Sequence, residues 1–474
     1  MMRKKRRPVI SAGMFFKYAA CPHWLYFDEY GDPKKKASET RFSEMLRERG
    51  LVHEREMVAG RELVEPQGRT PRARFRDTLR LMREGADLIY HGQLLADGLS
   101  GEPDLLEKRT DRRSDLGEYH YVAIDIKSAE RLTDAHRYQL TCYADLLQRL
   151  QGIRPMEGYI LNGSGVTLSF AVDEFWPQYE TALDDMRLIL AGHQPSPHLS
   201  AGCKQSPWFD QCISLAEGSG DIALLYNVRR KVLDVLREHG VRTVEDAAAM
   251  DIAWLSSVSP RLSRTDLDRV RLQARALLEG RHFVREPVTF PETGTEIFFD
   301  IEGDPLRTVE YLFGFLVREN RKERYEHLLA ESPEDEGRMW QEALAWMERL
   351  SDDFTVYHFG TYEISRLDIL EHKYGGAAAL DRFRSRMIDL NEAVKSSVVF
   401  PLYFYGLKYL GAHIGFRRST EIGTGAESVA FYEEWLESGD RDRLQAIIRY
   451  NRDDVEETRA LKDWLDEKAV EADA

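Results

Sequence analysis

Two short apolar runs in this chain end in charged side chains spaced two residues apart: Ile124-Asp125-Ile126-Lys127 and Phe298-Phe299-Asp300-Ile301-Glu302. In an extended strand, residues i and i+2 leave the same face, so each run aims a pair of charged groups at one point in space. A strand of this kind needs a sheet and a covering helix to bury its apolar residues. The chain has 474 residues, two to three times the usual size of one domain, so the two runs are expected in separate α/β units. With 43% hydrophobic and 31% charged residues, each unit can bury a core of its own, which excludes a disordered or fibrous chain.

Apolar spacings of three and four residues predict helices over Phe42 to Val58 and Thr78 to Ile89 in a mostly helical stretch from Ser11 to Tyr90. Leu94 to Glu107 and Tyr119 to Ile126 read as strands joined by a long polar tip, Lys108 to Glu118, and Leu132 to Leu150 reads as a helix. Asp221 to Val284 reads as wholly helical, broken at Glu238-His239-Gly240-Val241 and Ser259-Pro260. It is expected to be a spacer, with a helix-hairpin-helix module as the alternative. A second α/β pattern follows Arg285-Glu286-Pro287: strands at Glu296 to Ile301, Tyr311 to Val317 and Thr355 to Phe359, helices at Met339 to Leu350 and Leu444 to Ala469.

The net charge is −15, but whole-chain charge governs solubility and steering and leaves open what one groove can bind. Six arginines between Arg69 and Arg83, among them Arg72, Arg74 and Arg76, and the five basic residues within Met1 to Pro8 are candidates to track phosphates. Basic residues, an apolar stretch and Cys21 imitate a lipoprotein signal, but Lys17 interrupts the stretch, and Ser11 is read as the N-cap of an amphipathic helix. No apolar run is long enough to span a bilayer. Four cysteines, Cys21, Cys142, Cys203 and Cys212, are too few for a disulfide-stapled secreted protein of this length, and a cytoplasmic location is expected.

The first run belongs to an ordered set: Gly101-Glu102-Pro103-Asp104, then Asp125-Ile126-Lys127, then Gln139-Leu140-Thr141-Cys142-Tyr143. Asp104, on the partner strand, can join Asp125 and Lys127. Two carboxylates bind a hard divalent cation, and a nearby lysine can orient or deprotonate water, the equipment for phosphodiester hydrolysis. Gln139 and Tyr143 are one helical turn apart and project together. In this order the motifs resemble the PD-(D/E)xK nucleases of the RecB family, including the CRISPR-associated RecB-like nucleases. The resemblance implies a restriction-endonuclease-like fold, a metal ligand at His53 in the upstream Arg49-Gly50-Leu51-Val52-His53-Glu54, and contact of Gln139 and Tyr143 with nucleic acid.

Several RecB-like nucleases carry an iron-sulfur cluster on one cysteine before the core and three after it, spaced C-x2-C-x5-C. Cys21 matches the first, and Cys203 and Cys212 match the outer pair of the trio, but Ser206 stands at the middle position. Four thiolates are the usual requirement, so the resemblance implies a cluster that this sequence supplies with three. Cys142 is expected in the core.

The second run opens another ordered set, continued by Val356-Tyr357-His358-Phe359-Gly360-Thr361-Tyr362-Glu363, in which a strand ends in a carboxylate, and by Tyr450-Asn451-Arg452-Asp453-Asp454 on a helix. Tyr450 and Asp454 share a helix face; Asp453 is the rival carboxylate. The set resembles the DEDD exonucleases of the RNase H-like superfamily, in the variant with tyrosine in the last motif. That resemblance implies two Mg2+ or Mn2+ ions held by Asp300, Glu302, Glu363 and Asp454, with Tyr450 orienting water. Glu363 departs from the usual aspartate. Asp389-Leu390 and Gly406-Leu407-Lys408 also resemble the family.

The expected architecture is α/β multidomain: a restriction-endonuclease-like nuclease domain over 1–215, a helical connector over 216–290 and an RNase H-like domain over 291–474. The expected function is Mg2+- or Mn2+-dependent hydrolysis of DNA, at single strands or ends, in repair, recombination or defence, with RNA as a substrate left open and no membrane partner. Two alternatives stand beside it: a nucleic-acid-binding scaffold with decayed centres, and a nuclease that trims CRISPR spacer precursors.

Overall fold

The computed structural model describes residues 9–472 except 130 and 260. The basic run Met1 to Pro8, and Pro260 of the expected Ser259-Pro260 break, lie outside the described residues. The chain divides into two compact units, one formed by residues up to 39 together with 44–218, the other by residues from 219 onward together with 40–43.

The first unit is built on two sheets. β1 (Ile10–Ser11) pairs in parallel with β4 (Leu99–Gly101), which pairs antiparallel with β3 (Leu94–Ala96). The main sheet has the order β2 (Leu88–Tyr90), β5 (Leu105–Arg109), β6 (His120–Ile126), β7 (Glu157–Leu161), β8 (Thr167–Ala171). Every residue of β6 is buried, as expected of a central strand. Tyr121 and Ala123 face a core shared with Leu140, Tyr143 and Leu147 of the helix Asp134–Gln151, whereas Val122, Ile124 and Ile126 face a smaller core with Leu105 and Leu161. Asp125 shares the parity of Tyr121 and Ala123, so it leaves toward that helix. The helix is the crossover between β6 and the parallel strand β7; it starts at Thr133, whose hydroxyl accepts from the His136 amide, and stops at Gly152 in the left-handed region.

Three expected elements of this unit are corrected. The strand read over Leu94 to Glu107 is three strands, because Asp97 and Gly98, with φ of 46° and 81°, turn β3 back onto β4, a hairpin turn that Asp-Gly favours. Ser11 lies in β1, and Gly13 precedes the helix Met14–Ala20. The helix read over Thr78 to Ile89 runs instead over Pro71–Glu84, capped by Thr70 and ended by Gly85 at φ 76°, and Ile89 is in β2.

The second unit carries a five-stranded sheet ordered β12 (Lys322–Leu329), β11 (Val309–Glu319), β10 (Thr295–Asp304), β13 (Phe354–His358), β14 (Met387–Asp389). The first three strands form an antiparallel meander, and β13 and β14 add in parallel. β10 is buried on both faces: Ile297, Phe299 and Ile301 pack with Trp340 and Met347, while Phe298 packs with Val455, Leu461 and Leu465 of the helix Arg441–Ala472. Asp300 and Glu302 share the parity of Phe298 and turn to that long helix. Gly314 stands opposite Asp300 on β11, and a side chain there would meet Asn451 Oδ1 at 1.6 Å, so glycine allows the helix to reach the strand.

The stretch read as wholly helical contains helices Arg230–Glu238, Val244–Ala249, Ile252–Val258 and Arg264–Glu279 but ends in a strand, β9 (Phe283–Val284), paired antiparallel with β15 (Val398–Val399). Gln273 donates to the carbonyl of Phe400 at 2.8 Å, accepts from the Tyr405 hydroxyl at 2.7 Å, and Tyr226 stacks on Tyr405. No described helix is long and apolar enough to cross a membrane.

Candidate metal centres

In the second unit, carboxylate oxygens of Asp300, Glu302 and Asp454 lie within 4.8 Å of one another. β10 supplies the first two from one face, and the helix Arg441–Ala472 supplies the third. Asn451, one turn-neighbour of Asp454 on this helix, donates to Asp300 Oδ2 at 2.7 Å and accepts from the Tyr325 hydroxyl at 2.8 Å. Burial, with the charges of Glu302, Asp454 and Glu363, pushes the Asp300 carboxyl well above its ordinary range; Glu302 is pushed up by burial and by Asp454. Three carboxyls this close cannot all ionise without a positive partner, and a divalent cation could be that partner.

Two side chains of this chain already supply part of that charge. Arg418 pairs with Asp454 Oδ1 at 2.5 Å and with Glu457 Oε2 at 2.5 Å. Lys408 donates to the Tyr450 hydroxyl at 2.9 Å and lies 4.5 Å from its ring centre. Burial raises Asp454 and the cations Arg418 and Lys408 oppose that rise. Gly411 gives this arrangement room: a side chain there would meet Glu457 Oε1 at 1.8 Å.

Asp453 faces elsewhere. It accepts from the amides of Ser419 and Thr420, both at 2.8 Å, and from the Ser419 hydroxyl at 2.9 Å, fixing the loop after Arg418. Glu363 differs from its expected setting, since β13 ends at His358 and Glu363 lies in the first turn of the helix Tyr362–Tyr374. It stands outside the group of three carboxylates, 3.4 Å from His358 Nδ1, and burial raises it against the pull of His358. Its Oε2 is buried without a hydrogen bond, and its charge acts on Asp300, so it borders the centre. Asp389 accepts from the amides of Gly360 and Asn391, both at 2.8 Å.

In the first unit, Asp104 and Asp125 are brought side by side, one register step beyond the pair Leu105–Ile124. Lys127 Nζ lies 3.3 Å from Asp125 Oδ2 and 3.7 Å from Asp104 Oδ2, and the Ile126 amide donates to Asp104 at 2.6 Å. Burial, followed by the charge of Asp125, pushes Asp104 up to about 7. Asp125 Oδ1 is buried with no hydrogen-bond partner, an oxygen suited to a cation that hydrogen bonds do not use.

The ligand group here differs from the expected one. Glu54, His91 and Asp104 offer atoms within 4.8 Å of one another, and among the described residues His53 is not in that group. His53 is half-buried, and a side chain on Gly163 would meet its ring at 3.9 Å. Glu54 accepts from the Tyr90 hydroxyl at 2.7 Å and bonds His91 Nε2 at 2.5 Å. His91 has φ 52°, a local distortion that sets its ring over Tyr90. Sequence reasoning missed His91 because nothing around it forms a motif. Glu54 was one residue from the expected ligand.

Tyr143 is buried against Gly101, where a side chain would meet its ring at 2.7 Å, and Gln139 donates to its hydroxyl at 2.9 Å. Both line a cleft of about 360 Å³ with Gln93, Glu102 and Ser100. Arg74 pairs with Glu102 at 3.0 Å and donates to the His91 carbonyl, whereas Arg72 and Arg76 are exposed on the same helix. Cys21, Cys203 and Cys212 converge in a buried cluster with Phe27 and Trp208. Ser206 is turned to the backbone, accepting from the Trp208 amide at 3.2 Å. Cys142 is in the core, as expected.

No curated protein matches the chain. Nucleases of the RNase H-like superfamily use divalent metals such as Mg2+, and the acids gathered at Asp300, Glu302 and Asp454 could bind such an ion. A model of the RNase_H superfamily matches residues 297–466, which makes the C-terminal part of this chain an RNase H-like domain with a metal-dependent nuclease fold.

Proposed function

We propose that the chain is a metal-dependent nuclease that hydrolyses DNA phosphodiester bonds at single strands or ends, with a DEDD-type centre at Asp300, Glu302, Glu363 and Asp454 and a RecB-like centre at Asp104, Asp125 and Lys127. The observation that carries the reading is the convergence of Asp300, Glu302 and Asp454, from a strand and a helix far apart in sequence, within 4.8 Å of one another. Bound divalent cations supply charge neutralisation of the phosphate and acidification of water. The chain supplies the rest. Tyr450, held by Lys408, orients the attacking water, and Asn451 fixes the Asp300 carboxylate. In the first unit Lys127 is the group that orients or deprotonates water beside Asp125. The meander-plus-parallel sheet with a crossover helix between β6 and β7 supports a restriction-endonuclease-like core there. Gln139, together with exposed Arg72 and Arg76, is the proposed contact to nucleic acid; Arg74 serves by holding Glu102, and Tyr143 by supporting Gln139.

One observation favours a second reading, a nucleic-acid-binding scaffold with an inactive C-terminal centre: Arg418 already pairs with Asp454, as a built-in substitute for a cation. Degradation of end-labelled single-stranded DNA in Mn2+, with and without chelator, separates the two. Asp300→Asn and Asp125→Asn are each expected to remove the cleavage of one centre, and the double variant all of it. Chelator-resistant cleavage, or a double variant as active as the parent, rules the nuclease reading out; no cleavage by the parent while it still binds the strand establishes the scaffold.

A further inference from the structure

Cys21 sits at the junction where the helix Met14–Ala20 stops and Pro22 opens the helix Pro22–Tyr30. That junction places His23 within the first turn, two residues on. Cys203 lies in the short turn Ala201–Gln205 and Cys212 in the helix Phe209–Ser219. The fold brings these distant segments together: Sγ of Cys21, Sγ of Cys212 and a ring nitrogen of His23 lie within 4.8 Å of one another. Cys203 lies outside that group of three but in the same buried cluster, and its thiol donates to the His198 carbonyl at 3.2 Å. All four side chains are at most 4% exposed, inside a shell that includes Phe27 and Trp208.

A core needs neither two thiols and an imidazole at one point nor a third thiol beside them, and leucine or valine would fill such a space without a polar atom to satisfy. No two of these thiols form a disulfide: all are free and buried. What suits sulfur and imidazole groups gathered this closely is a borderline-soft cation. Three cysteines with one histidine form a closed Zn2+ site. An iron-sulfur cluster of the RecB-like type asks for four thiolates, and Ser206, at the middle position of the later trio, instead accepts from the Trp208 amide at 3.2 Å. His23 enters the cluster from a position outside the C-x2-C-x5-C pattern, so the ligand set changes in kind as well as in number.

We propose that Cys21, His23, Cys203 and Cys212 bind one Zn2+ as a structural site. Cys203 turns from the His198 carbonyl to complete the tetrahedron. Binding releases three thiol protons and leaves the histidine neutral. The ion then ties the two N-terminal helices to the segment that follows the sheet, closing a loop of most of the unit. The site is independent of both nuclease centres: its ligands are thiolate and imidazole, those centres offer mainly carboxylate oxygen, and its loss is read without an activity assay.

The test is elemental analysis of the full chain purified without chelator, followed by Co2+ exchange. The expected result is one equivalent of zinc, no iron or sulfide, and visible Co2+ bands of tetrahedral thiolate coordination. Cys212→Ser is expected to lose the zinc, and because it could fail to fold, His23→Cys is the companion variant: it is expected to keep one zinc while its Co2+ spectrum shifts toward four thiolates. Iron and sulfide with a brown chromophore in the parent overturn the proposal, as does a folded parent that carries no zinc and takes up none. A His23→Cys spectrum identical to that of the parent removes His23 from the ligand set and overturns it equally.

Discussion

Asp453 and Asp454 are adjacent on one helix and face different surroundings, and a pair of substitutions tests the different roles proposed for them. Asp453 receives three hydrogen bonds from Ser419 and Thr420, so Asp453→Ala is expected to destabilise by about 2–4 kcal/mol while folded molecules still cleave DNA. Asp454→Asn removes a charge that burial disfavours; it is expected to leave stability level or higher and to lower cleavage about a hundredfold or more. Denaturant titration and cleavage rates in an Asp125→Asn background decide this, and equal loss of activity in both variants would reassign the metal ligand.

A second residue-scale consequence concerns Glu310, buried where its Oε2 accepts from the Tyr362 hydroxyl and Arg366 lies 3.4 Å away. Burial outweighs the pull of Arg366 and pushes the carboxyl from 4.5 up to about 7. The folded state therefore holds this proton more tightly than the unfolded chain. Its stabilising effect is complete below pH 4.5 and is lost as pH rises through about 7. Glu310→Gln, which cannot ionise, is expected to lose less stability than the parent between about pH 4.5 and 8, by at most about 3 kcal/mol. Parallel denaturation curves for the two proteins across that range would show that Glu310 does not titrate there.

At the scale of elements, what could be read in advance was what local pattern carries. β10 announced itself because apolar and acidic residues alternate along it, and the helix Asp134–Gln151 was expected over Leu132 to Leu150; the capping by Thr133 and Gly152 is a finding of the structure. β12 gave no signal because an edge strand rich in Lys, Glu and Arg buries little. The break in Leu94 to Glu107 had a local cause, Asp97-Gly98, masked by the apolar residues around it. The residues beside the candidate centres that were not singled out, Asn451, Arg418, His91 and the His23 of the proposed zinc site, are placed by packing between segments far apart in sequence. The same holds for the helical segment before β9, whose connections to Phe400 and Tyr405 cannot be seen in either stretch alone. Gln273→Leu removes a donor to two carbonyls and the acceptor of the Tyr405 hydroxyl, leaving buried polar groups unpaired. It is expected to destabilise the second unit by about 2–4 kcal/mol and to open residues 222–282 to limited proteolysis. Unchanged stability and an unchanged cleavage pattern would make this segment an independent spacer.

At the scale of the whole molecule, the proposed centres lie one in each compact unit, so cation binding should be visible as two separable linkages. A ligand that binds only the folded form stabilises it by about 2.7 kcal/mol at a concentration a hundred times its Kd. The acidic net charge of −15 allows a general, screened effect of any divalent salt, which would raise both units together and would persist in every variant. Specific binding behaves differently. In calorimetric melts with Mn2+ against a matched ionic strength of NaCl, Asp300→Asn is expected to abolish the cation-dependent shift of one transition and leave the other, and Asp125→Asn to do the converse. If either variant loses both shifts, the centres are coupled through a common unfolding step; if neither variant loses any, the stabilisation is bulk screening, and the converging carboxylates of β10 and the closing helix are not a cation site in solution.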